Sequence, residues 1–387
     1  MKLSSVASGL EVSLTRQLFN KAKAFSDVID LTLGDPDLVP SIKIRDAACA
    51  AIQQGKTRYS VNAGLLEARL AIGKCIENEY KIKIDCSSEI MLTIGGMGAL
   101  YISLMALVDA GDEVLVIAPY YVNYVQMVRM CGGVPVIINT DPENNFAIDI
   151  DALEKKVSGR TVAIIINSPC NPSGTVIDGK TLDKLAEFVK LHNIAVISDE
   201  VYRTLIYDNK HHESIFTRPD MKGRTIMIDS MSKRFAMTGY RCGFAVGPEN
   251  VISAMTKMQE NIASCTPLPS QYAAIKAYDE CCHDNWIKDE FEKRRDYIWN
   301  AINEIPLLSC NKPDATFYLF VNIKETGMDS VAFAHSLLEA QHVAVVPGVT
   351  YGDAYNHYIR IAYTMDIEIL KQAVTRIAKF ISIIKEN

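Results

Sequence analysis

The chain has 387 residues, with 40 Lys or Arg against 46 Asp or Glu, and the resulting net charge of −6 argues against a nucleic-acid-binding body. Hydrophobic residues make up 49% and charged residues 22%, enough apolar mass for two domains, yet no run approaches the ~20 apolar residues of a membrane span. The ten cysteines show neither CxxC nor zinc-ligand spacing and the N-terminus lacks a signal-peptide core, so they read as reduced thiols of a cytoplasmic protein with no metal site.

Residues 1–44 show no sheet strand. Seven short apolar runs follow, each closed by Gly, Pro, Ser, Asn or Asp: Ile90–Ile94, Glu113–Ala118, Val134–Asn139, Thr161–Ile166, Ile194–Ser198, Thr225–Ile228 and Cys242–Val246. Most are continuous rather than alternating, the pattern of strands buried on both faces. Helical stretches lie between them, with Gly98–Ala110 after the first and Thr181–His192 before the fifth, the latter carrying Leu182, Leu185, Ala186 and Val189 on one side. The alternation predicts an α/β fold with a mostly parallel seven-stranded sheet and helices on both faces. Near residue 285 the texture turns to α+β: a helix over Lys288–Asn303, a strand over Ala315–Ile323, a helix over Ser330–Ala340, strands over Val343–Val346 and Tyr358–Tyr363, and a closing helix over Asp366–Ile384. The expected division is a large domain over 45–285 and a smaller α+β domain from 1–44 and 286–387.

In open α/β sheets ligands bind beyond the carboxyl ends of the strands. The first predicted strand is followed by Gly95-Gly96-Met97-Gly98, small enough for helix N–H groups to approach an anion. The second is followed by Pro119-Tyr120-Tyr121, an aromatic for a flat ligand, and the fourth by Asn167 to Gly174, with two amides. The fifth leads to Asp199-Glu200-Val201-Tyr202, and the sixth to Asp229-Ser230-Met231-Ser232-Lys233, with Arg241 eight residues on. Singly, each admits an ordinary role as turn, cap, core aromatic or solvated pair. Together they suit a planar, phosphorylated ligand with a basic nitrogen, and a lysine able to form a Schiff base.

Ser230-Met231-Ser232-Lys233 with Gly239-Tyr240-Arg241-Cys242-Gly243 resembles the lysine signature of fold-type I pyridoxal-phosphate enzymes of aminotransferase class I and II. Phe235-Ala236-Met237-Thr238-Gly239 is similar to the bacterial aspartate aminotransferase subgroup, while Cys242 stands where an aliphatic residue is usual. Gly34-Asp35-Pro36-Asp37, Tyr59 with Gly64, Gly95–Leu100, Asn171-Pro172-Ser173-Gly174, Asp199-Glu200-Val201-Tyr202, Pro347-Gly348 and Arg360 follow in family order. The resemblance implies pyridoxal 5'-phosphate on Lys233 as a Schiff base, with the same lysine as general base and acid. It implies Asp199 on the pyridine nitrogen, Tyr202 and Asn171 on the phenolic oxygen, and Tyr121 on the ring face. Ser230, Ser232, Arg241 and the N–H groups of Gly96 and Met97 would hold the phosphate, and Tyr59 would reach that of a neighbouring subunit, implying a homodimer with shared sites.

Arg360 lies in an apolar run, Tyr358 to Ala362, and its alternatives are a core ion pair or a clamp on the substrate α-carboxylate beside Gly34. The expected reaction is ping-pong transfer from an L-amino acid to a 2-oxo acid, with aspartate and 2-oxoglutarate or a neutral or aromatic amino acid as candidates. The alternative is a β-eliminating carbon–sulfur lyase of the same fold. The resemblance implies that Met97, at a site where some relatives with acidic substrates carry a polar or basic residue, tilts the side-chain pocket towards neutral or apolar side chains. It also implies that Arg16, in a segment that often borders this pocket, is a candidate for a distal carboxylate, with a solvated helix arginine as the alternative. Of the seven histidines none shows a metal or triad pattern, and His211-His212 reads as a surface loop.

Overall fold

The computed structural model describes residues 1–10 and 14–386, with only the backbone described at Thr15, Arg16 and Phe19. Arg16, raised above for a distal carboxylate, therefore lies outside the described side chains.

The first strand, β1 (Ile29–Asp30), precedes the seven that were expected: β2 (Ile90–Ile94), β3 (Glu113–Ala118), β4 (Val134–Asn139), β5 (Thr161–Asn167), β6 (Ala195–Asp199), β7 (Thr225–Ser230) and β8 (Cys242–Val246). These seven form one sheet in the order β2-β8-β7-β6-β5-β3-β4. Only β8 runs antiparallel to its neighbours. The C-terminal ends of the six parallel strands and the N-terminal end of β8 therefore lie on one edge. Burial on both faces holds in the middle, where every residue of β7 and β8 is buried. At the margin β4 is half-exposed, and there Pro135 is tolerated because an edge strand leaves one row of N–H groups unpaired.

Helices cover both faces. Gly179–Leu191 begins where the Asp178 carboxylate accepts from Thr181 N, and it buries the predicted stripe of Leu182, Leu185, Ala186 and Val189 against Ile164, Ile166 and Val196. Each such leucine contributes about 1.5–3 kcal/mol by leaving water. On the other face Gly95–Leu107 buries Ala99, Leu100, Ile102 and Leu104 against Val114, Val116, Ile226 and Ile228.

The remaining strands are β9 (Tyr318–Asn322), β10 (Val343–Ala344), β11 (Val346–Pro347) and β12 (Tyr358–Ala362). β9, β12 and β11 form an antiparallel sheet with β12 central. Two expectations change. Residues 1–44 do contain a strand, since β1 pairs in parallel with β10, Ile29 opposite Val343. The single strand expected over Val343–Val346 is two, in different sheets. A two-residue strand whose partner is more than 300 positions away leaves no periodicity to read. Leu18, Ala22, Ile29 and Leu31 share a core with Phe333, Leu337, Ile361, Ile377 and Phe380, whereas Ile44 packs with Ile72, Ile76 and Ala277. No helix among the described residues is long and apolar enough to cross a membrane.

Candidate active site

A cavity of about 750 Å3 opens at the edge where the strand ends gather. Its lining includes Gly34, Gly96, Met97, Tyr121, Asn171, Asp199, Tyr202, Ser230, Ser232, Lys233, Arg241 and Arg360. Every expected site residue is there except Tyr59, which stands outside the cavity at 84% exposure.

Strand register builds the anion side. Ile94 lies opposite Cys242, and Ser230 opposite Gly243, so the residues just past β2 meet those just before β8. No loop separates β2 from its helix, as the glycine run had suggested; the helix starts at Gly95 itself, and no side chain caps it. A β-carbon on Gly95 would sit 2.6 Å from Arg241 Nη2, and one on Gly243 would sit 2.5 Å from the Gly95 backbone. Both glycines thus let a guanidinium press against uncapped N–H groups, a donor-rich corner with excess positive potential. Ser230 Oγ, which caps the short helix Met231–Arg234, and Ser232 Oγ lie 2.9 Å apart at the same corner. Arg241 itself is held by a 2.9 Å bond from Nη1 to the Thr238 carbonyl.

Asp199 closes β6. Its carboxylate accepts from Tyr124 Oη at 2.6 Å and from Val201 N at 3.3 Å. Burial nevertheless pushes it up to about 6, the hydrogen bond from Tyr124 working the other way. Asn167 spans the gap to the next loop: its Nδ2 donates to the Asp199 carbonyl at 3.0 Å and its Oδ1 accepts from Asn171 N at 2.9 Å. Tyr121 meets Tyr124 edge-on at 5.6 Å between ring centres, and its hydroxyl accepts from Asn123 Nδ2 at 3.0 Å. The same amide nitrogen lies 3.5 Å from Met97 Sδ.

Lys233 Nζ donates to the Gly34 carbonyl at 2.6 Å. Burial lowers its ammonium to about 8, with Arg360 and Arg241 adding to the shift and Asp35 opposing it. Gly34 is pinned there by Tyr318, whose hydroxyl would be 1.8 Å from a β-carbon at that position. That hydroxyl also bonds Tyr202 Oη at 3.0 Å.

Arg360, in the centre of β12, is 5% exposed. Nη1 donates to Asn171 Oδ1 at 3.0 Å and Nη2 to the Thr32 carbonyl at 2.5 Å. Its guanidinium stacks 4.3 Å from the Tyr318 ring centre and 5.3 Å from that of Tyr351. Nε is buried without a partner. Among the described residues Arg360 makes no ion pair, so the core-ion-pair alternative is excluded. The cleft holds a buried cation that lacks a carboxylate.

Tyr124, Asn123, Tyr318, Tyr351 and Thr32 were not foreseen. Asn123 and Tyr124 lie two and three residues past Tyr121, a spacing that could have flagged them, whereas Tyr318, Tyr351 and Thr32 reach the cleft only through tertiary packing. His212 also departs from expectation: its neighbour His211 is exposed, but the His212 side chain is 5% exposed and faces inward.

Residues 26–377 match the family described as aminotransferase class I and II. The chain is 39% identical to an aspartate aminotransferase of Pyrococcus abyssi, over 98% of each protein. It is 36% identical to aromatic-amino-acid aminotransferase 2 of Thermococcus litoralis, again over 98% of each. Its structure matches that of aspartate aminotransferase from Thermus thermophilus with maleate at a TM-score of 0.93 and 32% identity, covering 98% of this chain and 100% of that one. Relatives so named do not favour the carbon–sulfur lyase alternative. The chain belongs to the aminotransferase class I and II family, and its activity is amino-group transfer.

Proposed function

We propose that the cleft takes pyridoxal 5'-phosphate on its floor and moves the amino group between an L-amino acid with an uncharged side chain and a 2-oxo acid. The observation that carries this reading is Arg360, a buried guanidinium without a carboxylate, in one cavity with a lysine whose ammonium is lowered to about 8. An α-carboxylate supplies the missing charge in bidentate geometry.

The residues present fit the cofactor. Its phosphate suits the corner of Gly96 and Met97 N–H groups, Ser230, Ser232 and Arg241, where a β-carbon on Gly95 would collide with the guanidinium. Its ring suits Tyr121 on one side and the Asp199 carboxylate at the pyridine nitrogen, with Tyr202 and Asn171 towards the phenolic oxygen. When bound, pyridoxal phosphate supplies the electron sink for the pair left at the substrate α-carbon. The protein's own part is positional and protonic. Lys233 Nζ, half-neutral near pH 8, takes up the α-proton and gives it back. Asp199, steadied by Tyr124, holds a proton at the ring nitrogen, and Arg360 with Gly34 fixes the carboxylate while closure excludes water.

The wall of Met97, Asn123 and Tyr121 carries no charge, and among the described residues the cavity's cations are Lys233, Arg241 and Arg360, all with assigned tasks. This supports a neutral or aromatic side chain; the aspartate aminotransferases among the relatives support aspartate as the second reading. We infer two domains, 45–285 against 1–44 with 286–387, supported by the shared core of the chain ends; the packing of Ile44 with Ile72 argues for a junction just before the helix Ile42–Gln53. A homodimer is supported by the exposed Tyr59, Val61, Leu66 and Leu70, and a cytoplasmic setting by ten unpaired thiols. The test is a panel of amino acids with 2-oxo acid acceptors, following acceptor-dependent amino acid formation. Phenylalanine, tyrosine or leucine outperforming aspartate supports the reading; pyruvate and ammonia released without an acceptor would sink it.

A further inference from the structure

Behind the wall of the cleft lies a buried polar cluster that the transfer chemistry does not use. Glu200, the residue after Asp199, is fully buried. Its Oε1 accepts from Ser198 Oγ at 2.9 Å and from Ser214 Oγ, while its Oε2 lies 2.9 Å from Tyr80 Oη. Tyr80 Oη lies 2.8 Å from His212 Nδ1, and His212 Nε2 lies 2.9 Å from the Ser168 carbonyl oxygen. The Glu200 and His212 side chains are 1% and 5% exposed.

Counting hydrogens shows what this chain must contain. A carbonyl oxygen only accepts, so His212 Nε2 carries a hydrogen in every state. The two remaining contacts, Glu200 to Tyr80 and Tyr80 to His212, need two hydrogens, and the phenol owns one. An ionised Glu200 beside a neutral His212 would leave two sets of lone pairs facing each other in a buried site.

We propose that Glu200, Tyr80 and His212 share one further proton, and that this chain, acting through the Ser168 carbonyl, positions the loop from Asn167 to Asn171 for amino transfer. Glu200 and His212 are thereby positioning residues. The proton sits on Glu200: burial pushes that carboxyl up to about 7 and drives the His212 imidazole down to about 3. Charged groups on neighbouring elements agree. Arg203, with its guanidinium 5.6 Å from the Tyr80 ring centre, opposes an imidazolium, and Asp229 on β7 opposes an ionised Glu200. Arg234, the other nearby cation, acts on Tyr80. All donors then point one way, from Glu200 to Tyr80 to His212 to Ser168. Ser168 adjoins Asn167, which holds both the Asp199 carbonyl and Asn171 N, and Asn171 in turn receives Arg360. Loss of the proton breaks the link on one side of Tyr80, so His212, still bonded to the Ser168 carbonyl, loses its anchor and holds the loop under the substrate carboxylate less firmly.

The kinetic part rests on the reading of this cleft as the transfer site; the spectroscopic part does not. Infrared spectra of cofactor-free protein between about pH 5 and about pH 9 are expected to show a buried protonated carboxyl that titrates near pH 7 and is missing in Glu200→Gln. In that variant the amide still accepts from both serines and donates to Tyr80, so the chain survives without a titratable proton. KM for the amino acid is expected to rise about fivefold more between about pH 6 and about pH 9 in the wild type than in Glu200→Gln, the titration of Lys233 being common to both. His212→Leu, which drops Ser168, is expected to raise KM about fivefold at all pH values, and His212→Gln, which restores a donor, to recover most of it. A carboxyl band unchanged by Glu200→Gln, or a folded His212→Leu with wild-type KM, overturns the proposal. Should His212→Leu fail to fold, the infrared band and the Glu200→Gln profile still decide it. A wild type without transfer activity overturns the reading of the cleft and leaves the band as the judge of the proton.

Discussion

The floor and the roof of the cleft are built on different principles. The floor is one edge of a sheet: Gly96, Asp199, Ser230, Lys233 and Arg241 each lie within three residues of a strand end, and register alone brings Gly95 against Arg241. The roof is drawn from Thr32, Gly34, Tyr318, Tyr351 and Arg360, stretches separated by up to some 330 positions and joined only by packing and a few hydrogen bonds. The floor therefore depends on local sequence, and the roof on the whole chain being folded. The difference also divides the chemistry. In the proposed function proton handling falls to the floor and carboxylate recognition to the roof, and the hydrogen bonds of Lys233 with Gly34, Arg360 with Asn171 and Tyr202 with Tyr318 join the two.

Substitutions in the two walls should separate these roles. The largest effect is expected on the floor. Lys233→Ala should lower the transfer rate by at least ~10^2–10^4-fold, the usual worth of a positioned acid–base group, measured in steady-state assays. The same change has a signature in stability. The folded protein lowers the Lys233 ammonium from 10.5 to about 8, so between those values it binds fewer protons than the unfolded chain. This lysine is therefore destabilising below about pH 8, and the penalty fades as pH approaches 10.5. Cofactor-free Lys233→Ala should melt higher than the wild type at neutral pH, with the difference vanishing in alkali.

A smaller effect is expected on the roof. Arg360→Lys keeps the charge but loses the fork; charge-assisted hydrogen bonds worth ~1.5–3 kcal/mol predict a KM for amino acids raised ~10–150-fold, with a lesser change in kcat. Equal losses in both constants would show that the roof also shapes the reacting centre. The smallest effect is expected at the side-chain wall. Met97→Lys adds a cation beside Asn123 and should shift the ratio of kcat/KM for aspartate over phenylalanine by about tenfold, equivalent to ~1.4 kcal/mol. An unchanged ratio would mean that the side chain points away from Met97.

The contrast also accounts for what could be read in the sequence. The seven strands of the large sheet were legible because burial on both faces leaves unbroken apolar runs, and Asn167, Asp199 and Ser230 were legible because they come directly after those runs or two residues on. Strand length was less so: β5, β6 and β7 run one or two residues beyond their apolar cores, since ladder hydrogen bonds continue into polar residues that face the cleft. Tyr318 and Tyr351 carry no local mark, because their tasks, pinning Gly34 and stacking on Arg360, exist only once the chain ends have met. His212 was misread for a related reason. A polar pair in a polar loop looks solvated, and only the position of Glu200 and Tyr80 turns one of its two rings inward.

The central claim is that Lys233 is the group on which this floor acts. Its most direct test is to load the protein with pyridoxal phosphate, reduce it with borohydride and map the modified peptide by mass spectrometry. The account predicts one phosphopyridoxyl group per chain, on Lys233, displaced when an amino acid is added before reduction. A label on another lysine, or a loaded protein that borohydride leaves unlabelled, would contradict it.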